Sequence, residues 1–430
     1  MTVGIMGLGY VGLPLALSFA ESGERVVGVD LNARRVAQLR RGESYVEDVP
    51  SACLRALAPR IEATTRIAKL AICDAVVICV PTPLTPNHEP DLAPLMSAVH
   101  GVAGVLQPGQ LVVLESTTYP GMTRERVRPV LEESGLVAGE DFHLAFSPAR
   151  IDPGRSDYTL RATPKLIGGL TPACGDRAET LYADVCEKVV RVSSPEVAEM
   201  AKLLESTFRS VNMALVNELA VLADRMAIDI YEVVDAAATK PFGFMRYDPG
   251  PGMGGQSVPV DPFYVSWKGR ELEFATEFIE LAGKVNQQTP YVCVERIERA
   301  LNELGLPARS SRVCLLGVAY KSGVGDTRES AAISIARRLQ EHGAVVSYHD
   351  PHVPELPSLG LVSTPLDEAI RGCDLAVIVT AHPSVDHLAV SRQVPVVDLR
   401  GATRASRAVA RPPVRTAPAG QIAPRPAEAA

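Results

Sequence analysis

A glycine-rich turn near the start of the chain constrains the fold more than any other feature. Gly7, Gly9 and Gly12 follow an apolar segment at residues 3–6 and precede a helical pattern at residues 13–22. In such a unit the first glycine permits the tight turn and the second lets a ligand approach the backbone. The third lets the helix pack closely against the strand. The turn therefore predicts a strand–helix–strand unit at the start of a doubly wound sheet.

An acidic residue completes this unit. Asp30 ends the second apolar segment, residues 25–30, 18 positions after Gly12. A carboxylate there accepts hydrogen bonds from ribose hydroxyls and would repel a 2′-phosphate. The alternative interpretation is that Asp30 only caps a strand end, and Arg34 and Arg35 could weaken the discrimination. The unit predicts NAD as the cofactor, with its pyrophosphate at the helix N-terminus.

Similar strand–helix patterns occur on both sides of a long helical middle. Long helical patterns cover residues 194–225 and 271–304, the second with an expected break near Pro290. Apolar strands predict parallel sheets buried on both faces. They are expected at residues 3–6, 25–30, 74–80, 110–115 and 143–146, and again at 312–317, 344–348, 374–380 and 394–399.

The predicted fold class is α/β, with two Rossmann-like parallel-sheet domains joined by a central helical domain. The expected domains are residues 1–195, 196–305 and 306–402. Residues 403–430 are rich in Ala, Pro and Arg without periodicity, which predicts a disordered tail.

Composition excludes several classes of protein. The 430 residues carry 43 Lys and Arg against 50 Asp and Glu, a net charge of −7 that argues against a nucleic-acid scaffold. No apolar run is long enough to predict a membrane span. Eight scattered cysteines without metal spacing predict reduced thiols and a cytoplasmic protein. The pair His349 and His352 could suggest a metal, but a turn at a strand end explains it better, so no metal is predicted.

Seven further stretches together resemble the UDP-glucose/GDP-mannose dehydrogenase family, closest to its UDP-N-acetylglucosamine and UDP-N-acetylmannosamine 6-dehydrogenases. The resemblance covers roughly residues 1–400. It implies an NAD domain, a central domain that forms a homodimer, and a C-terminal domain that holds a UDP-sugar. The stretches are residues 44–50 (SYVEDVP), 79–84 (CVPTPL), 115–121 (ESTTYPG), 146–154 (FSPARIDPG), 198–202 (AEMAK) with its helix to 218, 249–255 (PGPGMGG) and 317–330 (GVAYKSGVGDTRES).

The resemblance also implies roles for individual residues. Family members oxidise the 6-hydroxyl of the sugar to a carboxylate in two hydride steps, holding the aldehyde on a cysteine. The implied cofactor residues, with the glycine unit, are Gly7, Gly9, Tyr10, Val11, Gly12, Asp30, Arg35, Pro81, Thr82, Thr117 and Arg328. The implied substrate residues are Arg150, Lys202, Arg246, Gly252, Gly255 and Lys321, with Arg246 often reaching across subunits. The implied catalytic residues are Lys202, Asp261, Thr117 and Ser257.

Purely structural interpretations of three of these residues are also possible from the sequence. Lys202 could be an ordinary surface lysine, Asp261 before Pro262 a turn former, and Thr117 a helix cap.

The chain departs from the family pattern at its chemistry. Ser257 stands where the family has its nucleophilic cysteine, and Gln256 replaces a neighbouring histidine. Ala149 replaces a glutamate that orients water, and Ser206 replaces an asparagine four residues after Lys202. No cysteine lies between positions 186 and 293, and no histidine within 144–341. A serine needs an adjacent base to attack, so Ser257 is either a repurposed polar group or a small residue tolerated after the chemistry was lost.

These departures leave three hypotheses. The first is an NAD-dependent oxidoreductase that acts on a UDP-sugar and stops short of the uronic acid, releasing an aldehyde or ketone. The second is a redox-neutral epimerase that oxidises transiently and returns the hydride. The third is a non-catalytic nucleotide-sugar binding protein.

Overall fold

The computed structural model describes residues 1–46, 48–152, 154, 158–255 and 257–404. Of the predicted tail, only residues 403 and 404 are among the described residues. Gln256 lies outside them.

The N-terminal unit is built on an eight-stranded sheet in the order β3-β2-β1-β4-β5-β6-β7-β8. Its strands are parallel except for β6 and β7, which pair antiparallel, so the prediction of a parallel sheet fails at that one pairing. The strands are β1 (Thr2–Met6), β2 (Arg25–Val29), β3 (Ile61–Thr64), β4 (Ala75–Ile78), β5 (Leu111–Leu114), β6 (His143–Phe146), β7 (Lys165–Gly169) and β8 (Val189–Val192).

Helices cover both faces of this sheet and close two buried apolar cores, one on each side. Asn32 caps the second helix by accepting from the N–H groups of Arg34 and Arg35. The helices are α1 (Gly12–Glu21), α2 (Ala33–Arg40), α3 (Ser51–Leu57), α4 (Ala93–Ala103), α5 (Arg128–Glu132) and α6 (Pro172–Ala183). Strands β3, β7 and β8 were not predicted, because charged residues and glycines interrupt their apolar pattern.

The middle of the chain is helical, as predicted. It contains α7 (Pro195–Arg225), α8 (Ile230–Ala237), α9 (Asp261–Glu271) and α10 (Glu277–Glu303). Helix α7 has 31 residues and is capped by Ser194, whose side chain accepts from the N–H of Val197. The predicted second helical stretch begins later than expected, and the helix assignment continues through Pro290 instead of breaking there.

The C-terminal unit has a four-stranded parallel sheet in the order β10-β9-β13-β14. Apolar cores lie on both of its faces, and the last turns of α10 contribute Ile297 and Leu301 to one of them. Its elements are β9 (Arg312–Leu316), α11 (Ala331–Glu341), β10 (Val345–His349), the two-stranded β11 (Glu355–Leu356) and β12 (Leu361–Val362), α12 (Leu366–Arg371), β13 (Leu375–Ile378), α13 (His387–Ser391) and β14 (Val396–Asp398). The predicted fold class is therefore confirmed.

Two observations concern the predicted absences. None of the helices within the described ranges is both long and apolar enough to cross a bilayer. In the same residues, no three His, Cys, Asp or Glu side chains are grouped so that they could hold a metal ion. His349 ends β10, and its ring Nδ1 contacts the carbonyl oxygen of Thr364 at 2.8 Å.

Candidate active site

The glycine turn after β1 has the geometry that a dinucleotide requires. Gly7 has a φ of +95°, a conformation that favours glycine. A Cβ on Gly12 would lie 1.8 Å from the carbonyl oxygen of Gly7, so only glycine lets α1 start there. A Cβ on Gly9 would meet no atom within 4 Å, so its backbone faces open space that a pyrophosphate can enter.

Asp30 lies beside this turn with part of its hydrogen-bonding capacity in use. Its carboxylate accepts from the N–H of Leu8 at 3.0 Å and of Asn32 at 2.8 Å, and Arg35 approaches it at 3.6 Å. Asp30 is 8% exposed, at the end of β2. Asp30 therefore orders the turn and still presents a carboxylate at its rim, which fits the ribose of an NAD molecule.

The other predicted cofactor residues lie around the same edge of the sheet. Pro81 and Thr82 follow β4, and the Thr82 hydroxyl donates to the carbonyl oxygen of Thr117 after β5 at 2.8 Å. The guanidinium of Arg328, from the C-terminal unit, lies over the ring of Tyr10 at 4.9 Å. The residues present therefore fit NAD, and Arg328 closes the cofactor cradle from the other side.

A cavity of about 300 Å³ adjoins this cradle and is lined by all three parts of the chain. The N-terminal unit supplies Tyr10, Val11, Ala149, Ile151 and Asp152; α7 supplies Lys202, Ser206, Arg209 and Met213; the following loop supplies Tyr247, Gly252, Met253, Gly254, Gly255, Ser257 and Val258; and the C-terminal unit supplies Tyr320, Lys321, Arg328 and Arg400.

A buried proton-exchanging group lies behind this cavity. Asp261 is 1% exposed at the start of α9 and does not line the cavity. The Ser206 hydroxyl donates to Asp261 Oδ2 at 2.6 Å, and Lys202 Nζ is 3.9 Å from the same oxygen. Burial raises the pKa of Asp261 to about 6, against the opposing effects of Lys202 and the Ser206 hydrogen bond. A carboxyl group with such a pKa can exchange protons near neutral pH.

Ser257 has the setting of a turn residue. Its carbonyl oxygen accepts from the N–H of Val260 at 3.0 Å and of Asp261 at 2.7 Å, which starts α9. Ser257 lines the cavity, and no side chain in the described ranges makes a hydrogen bond to its hydroxyl. A hydroxyl without a base partner is not activated for nucleophilic attack.

Two predicted substrate residues lie outside the cavity lining. The Arg150 guanidinium binds Glu205 at 2.6 Å and the carbonyl oxygen of Pro164 at 2.6 Å. Arg246 pairs with Asp235 and Asp248, both at 2.7 Å, on the exposed surface. The roles predicted for Arg150 and Arg246 therefore depend on rearrangement of these pairs or on a partner subunit.

The remaining predicted substrate residues line the cavity. Lys321 Nζ lies 2.8 Å from a carboxylate oxygen of Asp152, so this contact joins the N- and C-terminal units. Gly252 and Gly255 have φ values of +138° and +93°, and the Gly255 N–H donates to the carbonyl oxygen of Arg328 at 2.9 Å. The glycine loop is thus attached to the segment that also covers the cofactor cradle.

Sequence reasoning missed two cationic residues of the cavity. Arg209 follows Lys202 by seven positions, two helical turns, so the helical repeat was a signal that could have found it. Arg400 comes from the end of the C-terminal unit, where its Nε donates to the carbonyl oxygen of Val379 at 2.9 Å. No local pattern in the sequence marks Arg400, because only tertiary packing brings it to the cavity.

The comparisons with known proteins agree with this architecture. Residues 1–186 match the NAD binding domain of the UDP-glucose/GDP-mannose dehydrogenase family, residues 196–288 its central domain, and residues 314–405 its UDP binding domain. The chain belongs to this family of NAD-dependent oxidoreductases, and the prediction of NAD as cofactor is confirmed.

Individual relatives cover nearly the whole chain. A UDP-N-acetyl-D-glucosamine 6-dehydrogenase of Pseudomonas aeruginosa is 36% identical over 88% of this chain and 90% of its own length. A UDP-N-acetyl-D-mannosamine dehydrogenase of Pyrococcus horikoshii is 33% identical over 89% and 90%. The solved structure of a UDP-D-ManNAc dehydrogenase from Pyrococcus horikoshii superposes with a TM-score of 0.85 at 31% identity, covering 94% of this chain and 96% of that one.

Proposed function

We propose that this chain oxidises a hydroxyl of a UDP-sugar with NAD and releases an aldehyde or ketone instead of the uronic acid. The observation that carries the proposal is Ser257, which lines the cavity and whose hydroxyl has no hydrogen-bonded base in the described residues. Covalent capture of an aldehyde, and hence its second oxidation by the cysteine route, needs an activated nucleophile.

Ala149 supports the same conclusion. It lines the cavity at the position that the family resemblance assigns to a water-orienting glutamate. A methyl group cannot orient water for hydrolysis of an acyl intermediate, so the second half of the family reaction lacks two of its groups.

The first half of the reaction keeps its groups. NAD, when bound in the cradle, supplies the acceptor for the hydride that leaves the sugar carbon. Lys202 and Asp261 are the groups that handle the hydroxyl proton, and Thr117 after β5 remains a predicted participant. A carboxyl pKa of about 6 suits Asp261 to this role as a base.

The positive charge of the cavity favours binding of a nucleoside diphosphate. Its lining contains the cationic side chains of Lys202, Arg209, Lys321 and Arg400. Within the described ranges, Asp152 is the one acidic residue of that lining. Arginine and lysine side chains bind phosphate oxygens through charge-assisted hydrogen bonds. The match of residues 314–405 to a UDP binding domain supports uridine as the nucleoside.

A homodimer is part of the proposal. Helix α7 exposes a stripe of large apolar side chains at helical spacing, which a second copy of the helix can cover. The stripe consists of Val197, Met200, Leu204, Phe208, Leu215, Leu219 and Leu222. Phe242, Phe244 and Met245 are also exposed and precede Arg246 in the loop after α8. The family resemblance implies that this arginine reaches the cavity of the partner subunit.

The oligomeric state tests this part. Leu219→Glu places a charge in the stripe, and sedimentation velocity is expected to show monomers. Leu388→Glu is the control, since Leu388 is exposed on α13, far along the chain from the stripe. A wild-type protein that sediments as a monomer, or a Leu219→Glu variant that remains dimeric, would reject the interface.

Product analysis tests the chemistry. Wild-type protein is incubated with NAD and a panel of UDP-sugars. The masses of the products are measured by mass spectrometry, and NADH formation is followed by absorbance. We expect one NADH per sugar consumed and a product lighter by one pair of hydrogens. Two NADH per sugar and a uronic acid would reject the proposal.

The same experiment separates the two alternatives. A changed sugar without net NADH would indicate an epimerase, and binding without any change would indicate a non-catalytic protein. The double variant Ala149→Glu with Ser257→Cys restores the two family groups, and we expect it to gain some uronic acid formation that neither single variant shows.

A further inference from the structure

Ser206 connects the cavity to the buried carboxyl group. Asp261 does not line the cavity, whereas Ser206 does, and the two side chains are 2.6 Å apart. Lys202 precedes Ser206 by one helical turn on α7 and lies 3.9 Å from the same carboxylate oxygen, beyond hydrogen-bond distance. The Ser206 hydroxyl is therefore the hydrogen-bonded link between Asp261 and the space where a substrate would lie.

The hydroxyl of Ser206 has a defined direction in this contact. Asp261, as a carboxylate, can only accept, so the single proton of Ser206 points toward it. The lone pairs of the Ser206 oxygen then remain available to accept from a hydroxyl in the cavity. A donor in the cavity, Ser206 and Asp261 can thus form one continuous chain of hydrogen bonds.

We propose that Ser206 relays the proton of the substrate hydroxyl to Asp261. This step rests on the proposed oxidation of a sugar hydroxyl. The substrate O–H bond breaks as its proton moves to Ser206 Oγ, and the Ser206 proton moves to Asp261 Oδ2. The electron pair left on the substrate oxygen forms the carbonyl as the hydride leaves carbon for NAD. Ser206 ends as a hydroxyl, Asp261 as a carboxylic acid, and NAD is reduced.

The surroundings of Asp261 are compatible with this transfer. The groups that face it are Lys202 and Ser206 from α7 and Tyr264 from its own helix, whose hydroxyl donates to the carbonyl oxygen of Thr82 at 3.1 Å. The Asp261 N–H is bound to the carbonyl oxygen of Ser257. The carboxyl group is therefore held in place, and its Oδ2 is directed at α7.

The test compares three variants. Ser206→Ala removes the relay, and kcat for NADH formation is expected to fall by about 100-fold, the usual value of positioned acid–base catalysis. KM for the UDP-sugar and the affinity for NAD should stay within about twofold. Ser206→Thr keeps a hydroxyl and should recover most of kcat. Thr207→Val is the matched control, since the adjacent Thr207 hydroxyl is buried and has no hydrogen-bond partner among the described residues.

The pH profile and the thermal midpoint together separate a relay from a structural role. Loss of the Ser206 hydrogen bond removes a group that favours the Asp261 carboxylate, so the acid limb of the kcat profile should move to higher pH in Ser206→Ala if Asp261 is the base. Loss of a relay should also lower kcat at pH values above this limb with the thermal midpoint unchanged, whereas a purely structural role would lower the thermal midpoint and kcat together.

The outcomes are distinguishable from failure of the proposed function. If wild-type protein reduces no NAD with any UDP-sugar, the proposed oxidation is wrong and the relay is wrong with it. If wild-type protein is active and Ser206→Ala is as active as Thr207→Val, only the relay is overturned.

Discussion

The two α/β units begin in the same way and use their acidic residue differently. In each, a glycine with positive φ follows the first strand: Gly7 at +95° and Gly317 at +80°. In each, an aspartate follows the second strand and accepts from the backbone N–H after that glycine. These aspartates are Asp30 and Asp350.

The difference is the number of donors that each carboxylate already has. Asp30 accepts two backbone N–H groups and has Arg35 at 3.6 Å. Asp350 accepts four backbone N–H groups and has the His382 ring nitrogen at 3.1 Å, all from within the C-terminal unit; the four are those of Val318, Ala319, His352 and Val353. A saturated carboxylate holds a fold together, whereas one with capacity left can bind a ligand.

The turns differ in the same sense. Gly9 and Gly12 let α1 begin directly at the turn, so its N-terminus faces open space. After Gly317 the chain instead passes through a loop before α11 begins at Ala331, capped by Ser330. The N-terminal unit therefore presents a backbone turn and a helix N-terminus to a cofactor, and the C-terminal unit presents loop side chains such as Lys321.

The largest expected effect is a difference in stability between alanine variants of two glycines in the same turn, Gly12 and Gly9. Gly12→Ala would place a Cβ against the Gly7 carbonyl oxygen, and we expect it to lower the free energy of unfolding by about 3 kcal/mol or more. Gly9→Ala meets no neighbouring atom, so stability should stay within about 0.5 kcal/mol. Its Cβ instead occupies the approach to the backbone, and NAD affinity should fall at least about tenfold, or about 1.4 kcal/mol. Urea unfolding and calorimetric titration measure both; equal stability of the two variants would contradict the geometry.

The next effect contrasts the two aspartates. Asp350→Asn removes a charged acceptor from a buried network and should lower the free energy of unfolding by about 2 kcal/mol, with little change in NAD affinity. Asp30→Asn should lower NAD affinity by about tenfold and change stability less. If both variants lost stability equally and both bound NAD normally, the contrast between a structural and a ligand-binding carboxylate would be wrong.

Acid unfolding distinguishes Asp350 from the buried Asp261. Hydrogen bonds lower the pKa of Asp350 to about 2 despite the opposing effect of burial, so its stabilisation is present above pH 4 and disappears as the pH falls toward 2. Burial raises the pKa of Asp261 to about 6, so the folded protein keeps this proton up to a higher pH than the unfolded chain does. The free energy of unfolding therefore declines as the pH rises from about 4 to 6. The free energy of unfolding is measured by urea titration at a series of pH values. Asp350→Asn should not show the loss of stability at acid pH, and Asp261→Asn should not show the decline in stability between about pH 4 and 6. Unchanged slopes in either variant would reject that assignment.

The smallest effect concerns Arg35. Its guanidinium is 43% exposed and 3.6 Å from Asp30, so Arg35→Ala should change stability by less than about 0.5 kcal/mol. The freed carboxylate should repel a 2′-phosphate more strongly, which widens the preference for NAD over NADP a few-fold in parallel binding titrations. An unchanged preference would show that Arg35 does not affect the discrimination, and a narrower one would contradict the prediction outright.

Much of the fold was accessible from the sequence because its signals are local. Apolar strands such as β1 and β4 and the period of α7 are each contained in a short segment. Strand β7 was missed because it begins with Lys165, whose charge is buried against Glu115 and cannot be told from a surface lysine by pattern. The antiparallel pairing of β7 with β6 was missed for a second reason, since strand direction depends on how the sheet assembles and not on the strand's own residues.

The glycine turn, the choice of NAD and the serine at position 257 could all be read from the sequence. All three depend on residue identity and on backbone geometry within a short stretch of chain. Three features became visible only in the folded chain: Ser206 donates to Asp261, 55 positions away, Arg150 is bound by Glu205, and the Ser257 hydroxyl has no side-chain hydrogen bond within the described residues. Such side-chain contacts are set by how distant elements pack, and no short-range pattern encodes that packing.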